Sequence, residues 1–173
     1  MNNLIKNSAR FILFLFIQIV ILNEVPPLHQ FITPYLYFIF LLWLPFGTKR
    51  ITLTLLGFIT GYTLDLFTNT PGLHAAACTL LGYFRPTILK LLLAQELSEE
   101  VNREPSIGSM GWGPYAFYIT SLTFLHHFYL VLLEWLQFGN FGYFIGKIVA
   151  TTNISVVLIF IVELSMNRRK IKR

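Results

Sequence analysis

Apolar runs long enough to cross a hydrocarbon core, which takes about 20 helical residues, follow one another along nearly the whole chain, separated by short polar or proline- and glycine-marked breaks. The first covers about Leu4 to Leu22, with its unbroken apolar part at Phe11 to Leu22, and stops at Asn23, Glu24, Pro26 and Pro27. The second covers about Thr33 to Phe46 and stops at Gly47, Thr48, Lys49 and Arg50. The third spans Ile51 to about Phe67, the fourth Gly72 to about Leu93, the fifth about Pro114 to Phe138, and the sixth about Phe141 to Met166. Between the third and fourth, Asn69-Thr70-Pro71-Gly72 leaves room only for a tight reversal, since proline fixes φ and glycine accepts the left-handed region. The pattern predicts an all-α, polytopic integral membrane protein of about six transmembrane helices, folded as one domain over 1–173. Lys6 and Arg10 ahead of a short apolar core also fit a signal peptide. No small-x-small cleavage site follows before the two prolines, so the first helix is expected to be retained.

Composition agrees with this class. Hydrophobic residues make up 55% of the chain and charged residues 12%, with a mean hydropathy of +0.64, whereas soluble domains carry about a quarter charged residues. The formal charge of +5 and pI near 9.5 become informative once placed on the spans. Lys6, Arg10, Lys49, Arg50, Lys90, Arg103 and the terminal Arg168-Arg169-Lys170-Ile171-Lys172-Arg173 cluster all fall at one face of a six-span arrangement. The opposite loops, around Glu24 to Gln30, Thr68 to Pro71 and Gly139 to Asn140, contain no Lys or Arg. Because basic loops are retained in the cytoplasm, both termini are expected to be cytoplasmic, with a cytoplasmic loop over about 94–113 and a basic tail over 167–173. The tail reads as an anchor meeting anionic lipid head groups; a nucleic-acid partner is not expected, for want of a basic domain or aromatic platform.

Within the loop, Leu91 to Arg103 reads as a helix leaving the membrane, with Glu96, Glu99, Glu100 and Arg103 on its wet face and Glu99 four residues before Arg103. The glycine-rich Ser106 to Pro114 stretch lacks the Lys-Ser/Thr of a phosphate loop and reads as a flexible connection. Trp43, Trp112 and Trp135 are expected at membrane interfaces and the Phe residues mostly against lipid.

Charges inside spans are costly in hydrocarbon and so single out residues of consequence. Asp65, Glu134 and Lys147 are expected at similar depth near the extracytoplasmic side. Arg85 lies about 20 Å below Gly72, at 1.5 Å per residue, in the cytoplasmic half, where Glu163 is the nearest-depth acid. The economical arrangement is two charge layers, with Asp65–Lys147 and Arg85–Glu163 as packing locks more readily than as a proton relay. Neighbouring His126 and His127 point about 100° apart and do not chelate one ion as an i, i+4 pair does. His74, at the outer end of another span, is expected not to join them, so no metal site is assigned. Cys78 stands alone, which leaves no internal disulfide. Gly57 with Gly61, and Ala75-Ala76-Ala77-Cys78 with Gly82, form small-residue faces of the kind that let helices approach in lipid. With no nucleophile elbow, HExxH motif or acidic pair at metal spacing, no catalytic activity and no cofactor are expected.

The order Gly57-x-x-x-Gly61-x-x-x-Asp65-Leu66-Phe67, then Pro71-Gly72-Leu73-His74-Ala75, then Arg85-Pro86, resembles the central hairpin of the rod-shape-determining MreD family, in its Bacteroidetes-like branch. The resemblance implies a non-catalytic scaffold of the cell-wall elongation machinery in the bacterial inner membrane. It would bind the bitopic MreC protein and, through it, help couple MreB filaments to the glycosyltransferase and transpeptidase that build peptidoglycan. Gly57, Gly61, Asp65, Pro71, Gly72, Arg85, Pro86, Glu134, Lys147 and Glu163 are its structural or partner-binding candidates. That family is similar in fold to the substrate-binding subunits of energy-coupling-factor vitamin transporters, which supplies an alternative function. Against it, the first span reads Phe11-Ile12-Leu13-Phe14-Leu15-Phe16-Ile17-Gln18-Ile19-Val20, without the Ala-x-x-x-Ala docking face such subunits carry.

Overall fold

The computed structural model describes residues 3–24, 33–93, 102–136 and 140–171. In order they form α1 (Asn3–Phe16), running on as a π-helical stretch over Ile17–Leu22, then α2 (Ile39–Leu42), α3 (Arg50–Thr68), α4 (Leu73–Leu92), α5 (Ile107–Met110), α6 (Trp112–Trp135) and α7 (Phe141–Ile171). No strand occurs among the described residues. Four helical stretches, Ile5–Leu22, Arg50–Thr68, Trp112–Trp135 and Phe141–Met166, are long and apolar enough to cross a membrane, an architecture compatible with a polytopic membrane protein. Helix α4 has the length, 20 residues, but its hydropathy is lowered by His74, Arg85 and Lys90. The expected Glu96, Glu99 and Glu100 face, the Pro26-Pro27 break, Phe138 with Gly139, and Lys172 with Arg173 lie outside the described residues.

The α3–α4 hairpin is held by backbone contact. A Cβ on Gly57 would run into the carbonyl oxygen of Cys78, one on Gly61 into that of His74, and one on Gly82 into that of Leu53. The two small-residue faces foreseen in the sequence are therefore spent on each other. Helix α4 packs in turn on α6, and α6 on α7. Outward, Ile12 and Phe16 on α1, Leu55 and Phe58 on α3, Phe117 and Phe124 on α6, and Val157 and Ile161 on α7 are exposed, as lipid-facing residues would be.

The second apolar run departs from expectation. Instead of one helix over Thr33 to Phe46, residues 33–36 are irregular, a turn follows, and only Ile39–Leu42 is helical. Every residue from Tyr35 to Leu44 is nevertheless buried, so this stretch runs down the middle of the bundle. Pro34 and Pro45 bracket it, and proline breaks helical hydrogen bonding. Side chains from other elements take over: Leu36 N donates to Gln18 Oε1 at 2.8 Å and Tyr35 N to Ser155 Oγ at 3.1 Å. Gln18 also donates to Pro34 O at 3.2 Å. Burial on all sides explains the misreading, since it removes the periodicity that separates a helix from an irregular core segment.

At the far end from the Asn69–Gly72 turn, the stretch expected as a flexible connection contains a capped helical turn. Ser106 caps α5, its hydroxyl accepting from Ser109 N while Ser109 Oγ accepts from Ser106 N, and Ser109 and Met110 are buried. Trp112 is exposed but stacks on Phe160, whereas Trp43 is buried beneath Arg10 and so does not sit in an interfacial belt. Glu104 ties this end to α1, lying 2.7 Å from Lys6 Nζ and 3.0 Å from Arg10 Nη1.

Gly57→Ala and Gly61→Ala are expected to destabilise the hairpin by about 1–3 kcal/mol each, the cost of overpacking. Gly113→Ala, with no atom within 4 Å of its Cβ, should leave thermal unfolding in detergent nearly unchanged. Burial raises the Glu104 carboxyl, but Lys6 and Arg10 outweigh it and hold it below the ordinary 4.5. A depressed folded-state value means that its stabilising contribution is complete above about 4.5 and is lost as pH falls through the folded value. Glu104→Gln should remove that acid-side loss from a plot of unfolding temperature against pH.

Candidate functional site

The turn between α3 and α4 is built around one carboxylate. Asn69 ends α3 in the left-handed region at φ 55 and Gly72 opens α4 at φ 87, the conformations that Asn and Gly tolerate best. This reversal brings the first amides of α4 back onto Asp65. Its Oδ1 accepts from His74 N at 2.9 Å and Thr70 Oγ1 at 3.0 Å, and its Oδ2 from Ala75 N at 2.9 Å and Gly72 N at 3.1 Å. Leu73 N, the remaining early amide, donates to Thr70 O. Asp65 is thus a helix cap delivered from the preceding helix, buried to 3% exposure, where the positive end of α4 favours a negative charge. The expected Asp65–Lys147 pair does not form, because the amides already supply the carboxylate with charge-assisted bonds.

Lys147 on α7 instead pairs with Glu134 on α6 and lies over the Tyr143 ring; these two residues do share a depth, as their positions along the spans implied.

Beneath the turn lies a polar cluster that sequence reasoning missed. The Tyr37 hydroxyl sits 3.0 Å from His74 Nδ1 and 2.8 Å from His126 Nε2, donating to one ring while accepting from the other. His127 bonds Thr123 O and Ser155 Oγ, and the His126 ring stacks on Phe38 at 4.4 Å. His74 therefore does join the His126 region, contrary to expectation, because Tyr37 bridges two helices that never needed to match in depth. The available signals were isolated polar residues in apolar runs, Gln18 and Ser155 among them. Among the described residues no group of three or more His, Cys, Asp or Glu is placed to hold a metal ion.

Deeper in the bundle, Arg85 is fully buried. Its Nε donates to Tyr118 Oη at 2.8 Å, and its Nη2 donates to the carbonyls of Leu42, at 3.3 Å, and Leu44. Tyr118 donates in turn to Leu42 O at 2.8 Å. The expected Arg85–Glu163 lock is absent: Glu163 accepts from Tyr115 Oη at 3.2 Å and Ile107 N at 3.3 Å. Arg85 is met by carbonyls because the end of α2 offers unsatisfied ones close by. Pro86 lies inside α4 without ending it.

Two clefts flank the turn. One, of about 640 Å³, runs from Pro71, Gly72 and Ala76 across to Tyr129, Leu133 and Glu134. The other, of about 440 Å³, is lined by Asn23, Glu24, Thr33, Tyr35, Thr68 and His74, and shares Thr70, Leu73 and Glu134 with the first. Compared with known proteins, the chain matches no family model, no curated protein sequence and no solved structure.

Asp65→Ala should strand the amides of Gly72, His74 and Ala75, at about 1–3 kcal/mol for each buried donor left unpaired. Asp65→Asn, which keeps one acceptor oxygen, should lose less. Thermal unfolding in detergent reads both. Equal losses for Asp65→Ala and Lys147→Gln would instead indicate that the carboxylate depends on the lysine.

Proposed function

We propose that this chain is a non-catalytic, membrane-embedded assembly subunit of the MreD type, with six passages through the bacterial cytoplasmic membrane and both termini cytoplasmic. On this reading it binds an MreC-like bitopic protein and, through that partner, helps coordinate lateral peptidoglycan synthesis by MreB-guided wall synthases, so maintaining rod shape. The observation that carries the reading is the coherence of the resembling residues. Gly57 and Gly61 set the approach of α3 to α4, Asp65 and Gly72 close the turn, and Arg85 pins the central segment. All of them maintain one rigid body, as a scaffold requires. The orientation is supported by Lys6, Arg10 and Arg103 gathering around Glu104 and α5 at the end away from the turn. The turn end, on this reading, is extracytoplasmic.

A second reading, a substrate-binding subunit of an energy-coupling-factor vitamin transporter with the fold that this implies, is favoured by the polar cleft over Tyr35, His74 and Glu134. Affinity purification of the tagged chain from its native membrane in mild detergent, followed by mass spectrometry, separates the two. Recovery of an MreC-like protein with wall synthases is the expected outcome. Recovery of a transporter ATPase pair would replace it with vitamin uptake.

A further inference from the structure

Among the described residues, acidic side chains outnumber basic ones at the turn end: Glu24, Asp65 and Glu134 stand against Lys147. Helix α3 and helix α6 both finish there, at Thr68 and Trp135, and the π-helical end of α1 arrives beside them at Leu22. Their last carbonyls give that end partial negative charge. Against them stand the positive ends of α4, already neutralised by Asp65, and of α7, which opens at Phe141 with Gly142 N donating to Asn140 Oδ1. Glu24 and Glu134 are the only charged residues on the described walls of the two clefts. Lys147 engages only Oε2 of Glu134, whose side chain stays 29% exposed. Among the described residues, 22–24, 33–35, 67–73 and 135–136 at this end contain no Lys or Arg. Buried His74, with Nδ1 turned to Tyr37, lies on the wall of the second cleft with no partner described for Nε2.

We infer that the clefts flanking the Asn69–Gly72 turn form one docking groove for a cationic peptide segment: a Lys- or Arg-bearing stretch of the bitopic partner, just beyond the extracytoplasmic end of its membrane helix. The inference rests on the scaffold reading and adds to it where on this chain the partner is held. The clefts share Thr70, Leu73 and Glu134, so an extended segment passing over the turn reaches both and sets its cation against the unengaged oxygen of Glu134. The apolar walls, Leu73, Ala76, Tyr129 and Leu133, receive its uncharged neighbours.

The test uses the full chain in native membranes and reads the amount of MreC-like partner recovered per tagged chain. Ala76→Trp fills the first cleft, and Glu134→Gln combined with Lys147→Gln removes the carboxylate without stranding the lysine. Tyr62→Trp, on an exposed part of α3, is the control. Each variant is first shown to be monodisperse with a near-wild-type unfolding temperature. Should Ala76→Trp fail this, Leu133→Lys, which places a like charge at the rim, takes its place. The expected result is about a tenfold loss of partner, or about 1.4 kcal/mol, for the groove variants and none for Tyr62→Trp. A photocrosslinking residue at Leu133 should capture a Lys- or Arg-containing partner peptide from outside its membrane helix. Wild-type recovery by the folded groove variants, or a crosslink only to lipid or a small molecule, overturns the docking groove and leaves the scaffold reading intact. No partner with the wild-type chain overturns both.

Discussion

A backbone that leaves helical geometry inside an apolar body must find partners for every amide and carbonyl, since no water is at hand to take them. The Tyr35–Leu44 segment imposes that demand at the centre of this protein, and much of the surrounding sequence answers it. Gln18 reaches in from the π-helical stretch, and Ser155 from α7, to accept the amides of Leu36 and Tyr35. At the other end Tyr118 and Arg85 donate to the carbonyls that α2 leaves behind. The π-helical stretch, a rare form found mostly as single turns within α-helices, accompanies the burial of Gln18. Polar side chains that look misplaced in their own apolar runs are therefore the supports of a neighbouring run.

The same logic distinguishes two kinds of charge. The most buried are met by the backbone: Asp65 by the amides of α4, Arg85 by the carbonyls at and just past the end of α2. Those with partly exposed side chains are met by opposite charges, Glu134 by Lys147 and Glu104 by Lys6 and Arg10. Pairing two buried ions means desolvating both, which their attraction often fails to repay. A helix terminus already carries unsatisfied groups of the right sign, so one ion placed against it resolves two deficits together.

The sequence was legible where local chemistry decides structure. Asn69-Thr70-Pro71-Gly72 admitted only a reversal, the glycines of α3 and α4 announced close approach, and Glu134 and Lys147 could be placed at one depth by counting residues from the ends of their spans. It was illegible where tertiary context overrides local pattern. The apolar run from Thr33 to Phe46 looks the same whether it forms a helix or a buried irregular segment. Depth counting separated His74 from His126 because it allows no account of Tyr37, a residue of the central segment lying between them. The ion pairs assigned to Asp65 and Arg85 failed for a related reason: spacing reveals which charges lie close, not that main-chain dipoles lie closer.

The capping of α4 by a residue of α3 has a bearing on how the protein is made. Asp65 leaves the ribosome before the amides it will hold, and Leu42 and Leu44 before the arginine they will receive. Asp65 is met by the helix that follows its own, whereas Arg85 reaches back past α3 to a segment made 43 residues earlier. A helix carrying either ion into the bilayer alone would be poorly tolerated, whereas the hairpin entering as a unit conceals Asp65 at once. The central segment then waits ahead of α4 to receive Arg85, and Tyr118 arrives last to complete the site. The order of residues along the chain thus covers the Asp65 carboxylate as soon as the next helix is made, while the Tyr35 amide waits 120 residues for Ser155.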